Sequence, residues 1–200
     1  MPQVAEALIK AKNKGLVIPV VYNSSAYENV STLNMLDGLV DVYLPDMKYI
    51  DSRLSAEYSK APDYADVAKA AIHEMVRQTR KPEFFIEDDE LVKSGRVEAG
   101  IMKKGVIVRH LVLPGTTKDS KAVIKYLIDT YGDDIYISIM SQYTPFERLK
   151  KHPLLSRKVT RKEYNSVVDY AIDCGINNGF IQEGDVAEES FIPEFDYEGI

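Results

Sequence analysis

The stretch Val40–Asp51, "VDVYLPDMKYID", decides how this chain folds. Its first half is apolar, rich in β-branched and aromatic residues and without helical period, which is how a short buried strand reads. Pro45 then ends the hydrogen-bonding run, because proline has no N–H to donate, and the chain is expected to turn over the mouth of a barrel. Asp46 and Lys48 follow, two residues apart. If the backbone stays extended they point the same way and Met47 points the other way. The plain alternative is a surface ion pair worth ~0–1 kcal/mol.

On the amino-terminal side, "QVAEALIKAKNKG" (3–15) places Val4, Leu8 and Ala11 at helical spacing, with basic residues in the last turn and Gly15 as the stop. "LVIPVVYN" (16–23) reads as a buried strand, although Pro19 is awkward inside one. It ends in Asn23-Ser24-Ser25, and a short helix, "ENVSTLNMLDG" (28–38), leads back to the opening stretch. On the carboxyl-terminal side, residues 52–80 read as two helices broken at Pro62, with Asp63 as N-cap of the second. "GVIVRHLVLPG" (105–115) and "DIYISIM" (134–140) are further strands, each followed by a helix: "TKDSKAVIKYLIDTYG" (117–132) and, after the loop "FERLKKHPLLSRK" (146–158), "TRKEYNSVVDYAIDCG" (160–175). Thr160 and Glu163 have capping-box spacing. "GFIQEG" (179–184) is a last short strand.

Strands alternating with helices predict an α/β fold with a mostly parallel sheet. Right-handed crossovers leave an open doubly wound sheet or part of a (β/α) barrel. The whole chain, 1–200, is expected to be one domain, with 82–100 an acidic surface excursion in which a small hairpin could form, and 190–200 a tail that alternates apolar and acidic residues. In either architecture the functional end is the carboxyl end of the strands. There the sequence puts Asn23 and Ser24, Asp46 and Lys48, Arg109 with Pro114-Gly115, Ser141, Gln142 and Tyr143, and Gln182-Glu183.

The 200 residues carry a formal charge of −6, with 45% hydrophobic and 28% charged residues. That balance suits a soluble domain, and it argues against general nucleic-acid binding, which needs a basic face. No apolar run reaches the ~20 residues of a membrane helix, no signal peptide is visible, and a cytoplasmic protein is expected. The single cysteine, Cys174, excludes an internal disulfide or a cysteine-cluster metal site within this chain; it reads as half-buried packing at a helix end. Phosphate-loop, dinucleotide-binding and nucleophile-elbow motifs are absent. His73, His110 and His152 have no zinc-like spacing, and no residue is expected to ligate a metal. Arg109 and His110 are adjacent in a strand, so one faces inward and the other outward. A strand arginine needs an anion, either a structural carboxylate on a neighbouring strand or the carboxylate of a ligand.

Five blocks, "PQVAEAL…KGLVIPVVYNSSAYE", "VDVYLPDMKY", "GVIVRHLVLPG", "DIYISIMSQYTP" and "NNGFIQEG…SFIPEFD", together resemble the carboxyl-terminal two-thirds of radical S-adenosylmethionine proteins, in the pyruvate formate-lyase activating enzyme-like branch. The resemblance covers nearly the whole chain and implies an incomplete (β/α) barrel. It also implies S-adenosylmethionine and a 4Fe-4S cluster as cofactors, reductive cleavage of the sulfonium, and hydrogen abstraction from a substrate such as a glycyl radical enzyme. Position by position, Asp46 and Lys48 match the family's D-x-K pattern beside the bound cofactor. Lys48 would meet its carboxylate or ribose side, and Asp46 would offset positive charge. Arg109 matches the arginine near the methionine moiety, Asn23 the asparagine of an earlier strand block, and Gln142 and Tyr143 the sixth strand's entry to the pocket.

The departures matter as much. Val21 stands where activating enzymes carry an aspartate associated with a monovalent cation, so that cation site is not expected. The cluster's Cys-x-x-x-Cys-x-x-Cys triplet is absent. The expectation is a carboxyl-terminal fragment, inactive alone and unable to bind the cluster, with an upstream cluster-bearing half as partner and self-association through an exposed sheet edge at residues 16–23. Two other functions compete: a cluster-free module that binds ligands or proteins, and a Schiff-base enzyme using Lys48. Asp46 argues against the second by favouring the ammonium form.

Overall fold

The computed structural model describes residues 1–181. The elements are α1 (Pro2–Asn13), β1 (Val21–Ser24), α2 (Val30–Leu33), β2 (Val42–Pro45), α3 (Ser52–Ser59), α4 (Tyr64–Thr79), β3 (Glu83–Phe84), α5 (Glu90–Lys93), β4 (Met102–Leu111), α6 (Thr117–Tyr131), β5 (Tyr136–Met140), α7 (Arg161–Asp173) and β6 (Gly179–Ile181). They build a six-stranded sheet in the order β1-β2-β4-β5-β6, parallel throughout except for β3, which pairs antiparallel with β4. The sheet does not close: β1 and β6 are its edges among the described residues. The expected α/β fold, an incomplete barrel of parallel strands alternating with helices, is what the chain forms.

Period-two alternation divides the sheet into two faces. Along β4, Val106, Val108 and His110 are buried, while Ile107, Arg109 and Leu111 are partly open. Val106 and Val108 join Tyr43, Ile137 and Ile139 of the neighbouring strands in one core with Ile72 and Met75 of α4, Val123, Ile124 and Leu127 of α6, and Val167 and Ala171 of α7. Each helix supplies its apolar positions three and four apart, which is why one stripe reaches the sheet. The parallel register puts Asn23 beside Leu44, Asp46 beside Arg109 and Arg109 beside Ser138 on the opposite face. That face is left for the site.

Some local expectations are refined. The strand predicted over 16–23 begins only at Val21. Pro19 cannot donate to a ladder, and Val20 pairs by its own N–H with the Asp41 carboxylate (2.8 Å). Asp63 occupies the N-cap position of α4, but its carboxylate accepts from the Tyr27 hydroxyl (2.6 Å) and not from the helix. Thr160 and Glu163 form the full capping box at α7. The segment 82–100 contains β3 and α5 and closes back on β4, with Phe85 buried and its N–H bonded to the Ile101 carbonyl (2.9 Å). Cys174 is the half-buried C-cap of α7. Gln182-Glu183 and the tail lie outside the described residues. No helix among those residues is long and apolar enough to cross a membrane.

Candidate functional site

The strand ends around Pro45 build the site. Pro45 does not end the pairing there, as its chemistry alone suggests. The Asp46 N–H donates to the Ser24 carbonyl and the Met47 N–H to the Arg109 carbonyl, both at 2.9 Å, and Asp46 bridges Arg109 in parallel register. Only proline's own donor is lost, and the ladder resumes one residue later. Extension past the proline is what sends Asp46 and Lys48 to the open face and buries Met47 completely on the other.

Tyr64, from the first turn of α4, fixes this extension. Its hydroxyl accepts the Lys48 N–H (3.1 Å) and lies 2.8 Å from the Asp46 carbonyl and 2.9 Å from the Ser25 carbonyl. Burial pushes the phenol's pKa up, so it stays a neutral donor. On the helix-facing side the His110 ring holds the Met47 carbonyl through Nδ1 (2.7 Å). A carbonyl only accepts, so Nδ1 carries the proton. Burial drives the His110 pKa down to about 4, which keeps the imidazole neutral.

Four of the predicted residues meet in one polar network. The Arg109 guanidinium donates from Nε to Asp46 Oδ1 (3.0 Å) and from Nη2 to Asn23 Oδ1 (2.6 Å), and Nη2 also lies 2.7 Å from Asp46 Oδ1 in an ion pair. Lys48 Nζ stands 3.7 Å from Asp46 Oδ2. Arg109 and Asp46 are 27% and 21% exposed, which places their pair between the screened surface case and the desolvated buried one. Of the two partners that the sequence left open for Arg109, the carboxylate on the neighbouring strand is present. The Nη1 donors are not used by these bonds, and the looser Lys48 ammonium is 40% exposed.

Beside the network lies a pocket of about 400 Å³. Asp46, Lys48 and Arg109 form one side. Tyr49, Tyr58, Leu111, Leu113 and Met140 give it apolar walls, and the loop 141–155 covers it with Gln142, Tyr143, Phe146, Arg148, Leu149 and Leu155. Gln142 sits exposed at the rim, whereas Tyr143 is buried and donates to the Leu155 carbonyl (2.7 Å), pinning the loop to itself. His152 packs edge-on against Tyr58 and accepts the Leu154 and Leu155 N–H groups at Nδ1, so its role is loop structure. Ser24 faces away: its hydroxyl bonds Glu28 and accepts the Ala26 N–H (2.9 Å).

Three cations and one carboxylate line the pocket, a formal excess of two positive charges beside aromatic and aliphatic walls. Such a site takes an anionic group attached to a flat or apolar body. The residues that sequence reading missed are Tyr49, Tyr58, Tyr64 and the loop residues Phe146, Arg148 and Leu155. The one available signal was an unusual tyrosine content, 13 in 200 residues. No group of three or more potential ligands that could hold a metal ion occurs among the described residues.

No family model matches the chain. The uncharacterized protein MJ0674 of Methanocaldococcus jannaschii is 29% identical over 154 residues, which are 77% of this chain and 38% of that protein. The chain thus spans well under half the length of this curated relative. Among solved structures, a domain of pyruvate-formate lyase-activating enzyme from Bacteroides vulgatus matches with a TM-score of 0.55 and 12% identity over 91% of each chain. At that identity the likeness establishes a shared fold.

Proposed function

We propose that this chain forms the S-adenosylmethionine-binding wall of a radical S-adenosylmethionine site of the activating-enzyme type, with hydrogen abstraction from a substrate such as a glycyl radical enzyme as the activity of the assembled protein. The observation that carries this reading is the convergence of Asn23, Asp46, Lys48 and Arg109 at the carboxyl end of the sheet, beside a pocket with aromatic walls. In that reading Lys48 and the Nη1 donors of Arg109, which the bonds to Asp46 and Asn23 leave over among the described residues, take the cofactor's carboxylate, a charge-assisted contact. Asp46 and Asn23 hold the guanidinium in place, and Tyr49 and Tyr58 offer rings to the adenine. The amino-acid end and the heterocycle fit the residues present. The iron does not: Cys174, the single cysteine, caps α7, so the three thiolates of a cluster must come from outside these 200 residues. The bound cofactors supply the radical chemistry, and this chain's residues bind, orient and shield.

Calorimetry with S-adenosylhomocysteine, which keeps the carboxylate and adenosine but lacks the sulfonium charge, tests the wall without iron. Binding is expected, with a loss of roughly tenfold or more in Lys48→Met, the equivalent of about 1.4 kcal/mol. Absence of binding, or binding indifferent to Lys48, defeats the cofactor reading. A second reading follows from the pocket's excess positive charge and the lack of cluster ligands: a cluster-free module for a carboxylate ligand. It predicts that simple aryl carboxylates bind as well as S-adenosylhomocysteine does.

A further inference from the structure

The loop that covers the pocket has a second, outward side. Residues 146–162 hold seven Lys and Arg against one acid, Glu147, a net charge of +6. With the chain's total at −6, the other 183 residues carry −12, so positive charge is concentrated beside the pocket. All seven cations are exposed. A short 3-10 turn, Glu147–Leu149, sorts the side chains. Phe146, Arg148 and Leu149 line the pocket, whereas Lys150 and Lys151 lie outside its lining and in solvent. Lys150 pairs with Glu147, but the two side chains are 68% and 81% exposed, so water screens the pair and leaves the ammonium available. Phe146 is 47% exposed at the mouth, with the Arg148 guanidinium 5.6 Å from its ring. The turn is built before any partner arrives. The Leu149 N–H donates to the Phe146 carbonyl and the His152 N–H to the Leu149 carbonyl, both at 2.8 Å, and Tyr143 and His152 pin the loop behind it.

We propose that the turn 146–151 is the docking surface for a protein substrate, which it takes by an acidic segment carrying an apolar or aromatic residue. Carboxylates of that segment meet Lys150 and Lys151. Its apolar residue packs on Phe146 and the Arg148 stem, which leaves the adjoining backbone at the pocket mouth. Aromatic and arginine side chains are the types that anchor protein interfaces, and a preformed turn lowers the ordering cost of binding. Charge complementarity selects the partner: the cations attract an acidic segment at long range and reject a basic one. A nucleic acid fits less well, because it needs a basic stripe along its backbone and the chain beyond this segment is acidic. That the docked partner is the substrate rests on the reading of the pocket proposed above; the docking itself does not.

Fluorescence anisotropy of a fluorescein-labelled peptide of Glu, Gly and Phe, titrated with the full chain, tests the surface. Binding is expected, and salt should weaken it, as it does for exposed charges. Lys150→Glu with Lys151→Glu should cost roughly tenfold or more in affinity, because attraction becomes repulsion. Phe146→Ala, or a peptide with Ala in place of Phe, should weaken binding several-fold. Lys150→Gln with Lys151→Gln, its fold checked by far-ultraviolet circular dichroism, repeats the measurement with the charges removed instead of reversed. Absence of binding, or binding that both double variants retain, overturns the proposal. So does oligouridylate that binds as tightly as the peptide and is indifferent to Phe146, which makes the surface a general polyanion site. Self-association in sedimentation velocity that the double variants abolish also overturns it, since the occupant is then a second copy. Calorimetry with S-adenosylhomocysteine separates this inference from the cofactor reading, because the double variants should leave that binding unchanged. Peptide docking that depends on both lysines, in a chain that binds no S-adenosylhomocysteine, keeps the docking surface and removes the cofactor reading.

Discussion

Arg109 is the residue on which the site turns. Its fork reaches Asp46 on the adjacent strand and Asn23 on the strand beyond, a set of contacts that a single ammonium cannot reproduce. Arg109→Lys should therefore lower stability by about 1–2 kcal/mol in urea titrations, although the charge is conserved, and should weaken carboxylate binding. His110, immediately after it, gives a pH signature. The unfolded imidazole titrates in the usual histidine range and the folded one at about 4, so between those values the unfolded state binds the extra proton. Stability is then full above the usual range and falls as pH drops toward 4, by at most about 3 kcal/mol at 1.36 kcal/mol per unit. Equilibrium unfolding from pH 7 to 4 should show this loss, and His110→Gln should flatten it. Asp46, Lys48 and Arg109 were legible as site candidates because alternation along a strand is a local property. That Asn23, 86 residues from Arg109, completes the fork depends on strand order and register, which no local pattern encodes.

At the scale of elements, the start of α7 ties the loop after β4 to the rest. Glu163 accepts from the Thr160 hydroxyl and backbone (each 2.9 Å), from Arg157 (2.7 and 2.8 Å) and from the Gly115 N–H (2.8 Å). The Arg157 guanidinium, first among these, holds the Glu163 carboxyl well below the usual carboxylate range. Its contribution is thus present at neutral pH and lost on acidification below that range. Thr160→Ala should cost about 1 kcal/mol at neutral pH, measured by thermal unfolding, and Glu163→Gln should remove part of the acid sensitivity. The capping box was readable from spacing alone. The Gly115 contact was not, since it joins elements 48 residues apart. The loop 141–155 escaped in the same way: it has no period, and its course over the pocket is set by Tyr143 bonding Leu155 and by His152 packing on Tyr58.

On the scale of the whole molecule, β1 is an edge of the sheet among the described residues, with Val17, Ile18 and Val21 about half exposed beside it. We propose that another strand adds there, from a second copy or from a preceding segment. Val21→Lys should then reduce concentration-dependent association in sedimentation velocity, because a charged edge resists pairing. By itself the sequence determined the class of fold, the alternation of parallel strands with helices, the end of the sheet where chemistry gathers and three of the charged groups there. These follow from hydrophobic period, turn chemistry and side-chain alternation, all properties of neighbours along the chain. Only the tertiary structure decided that the sheet continues past Pro45, that Arg109 is already paired with Asp46 and Asn23, and that Tyr49 after β2, Tyr58 of α3 and a distant loop wall the pocket. Those features depend on strand order, register and helix packing, where residues far apart in sequence compete for the same partner and the whole fold selects which one is reached.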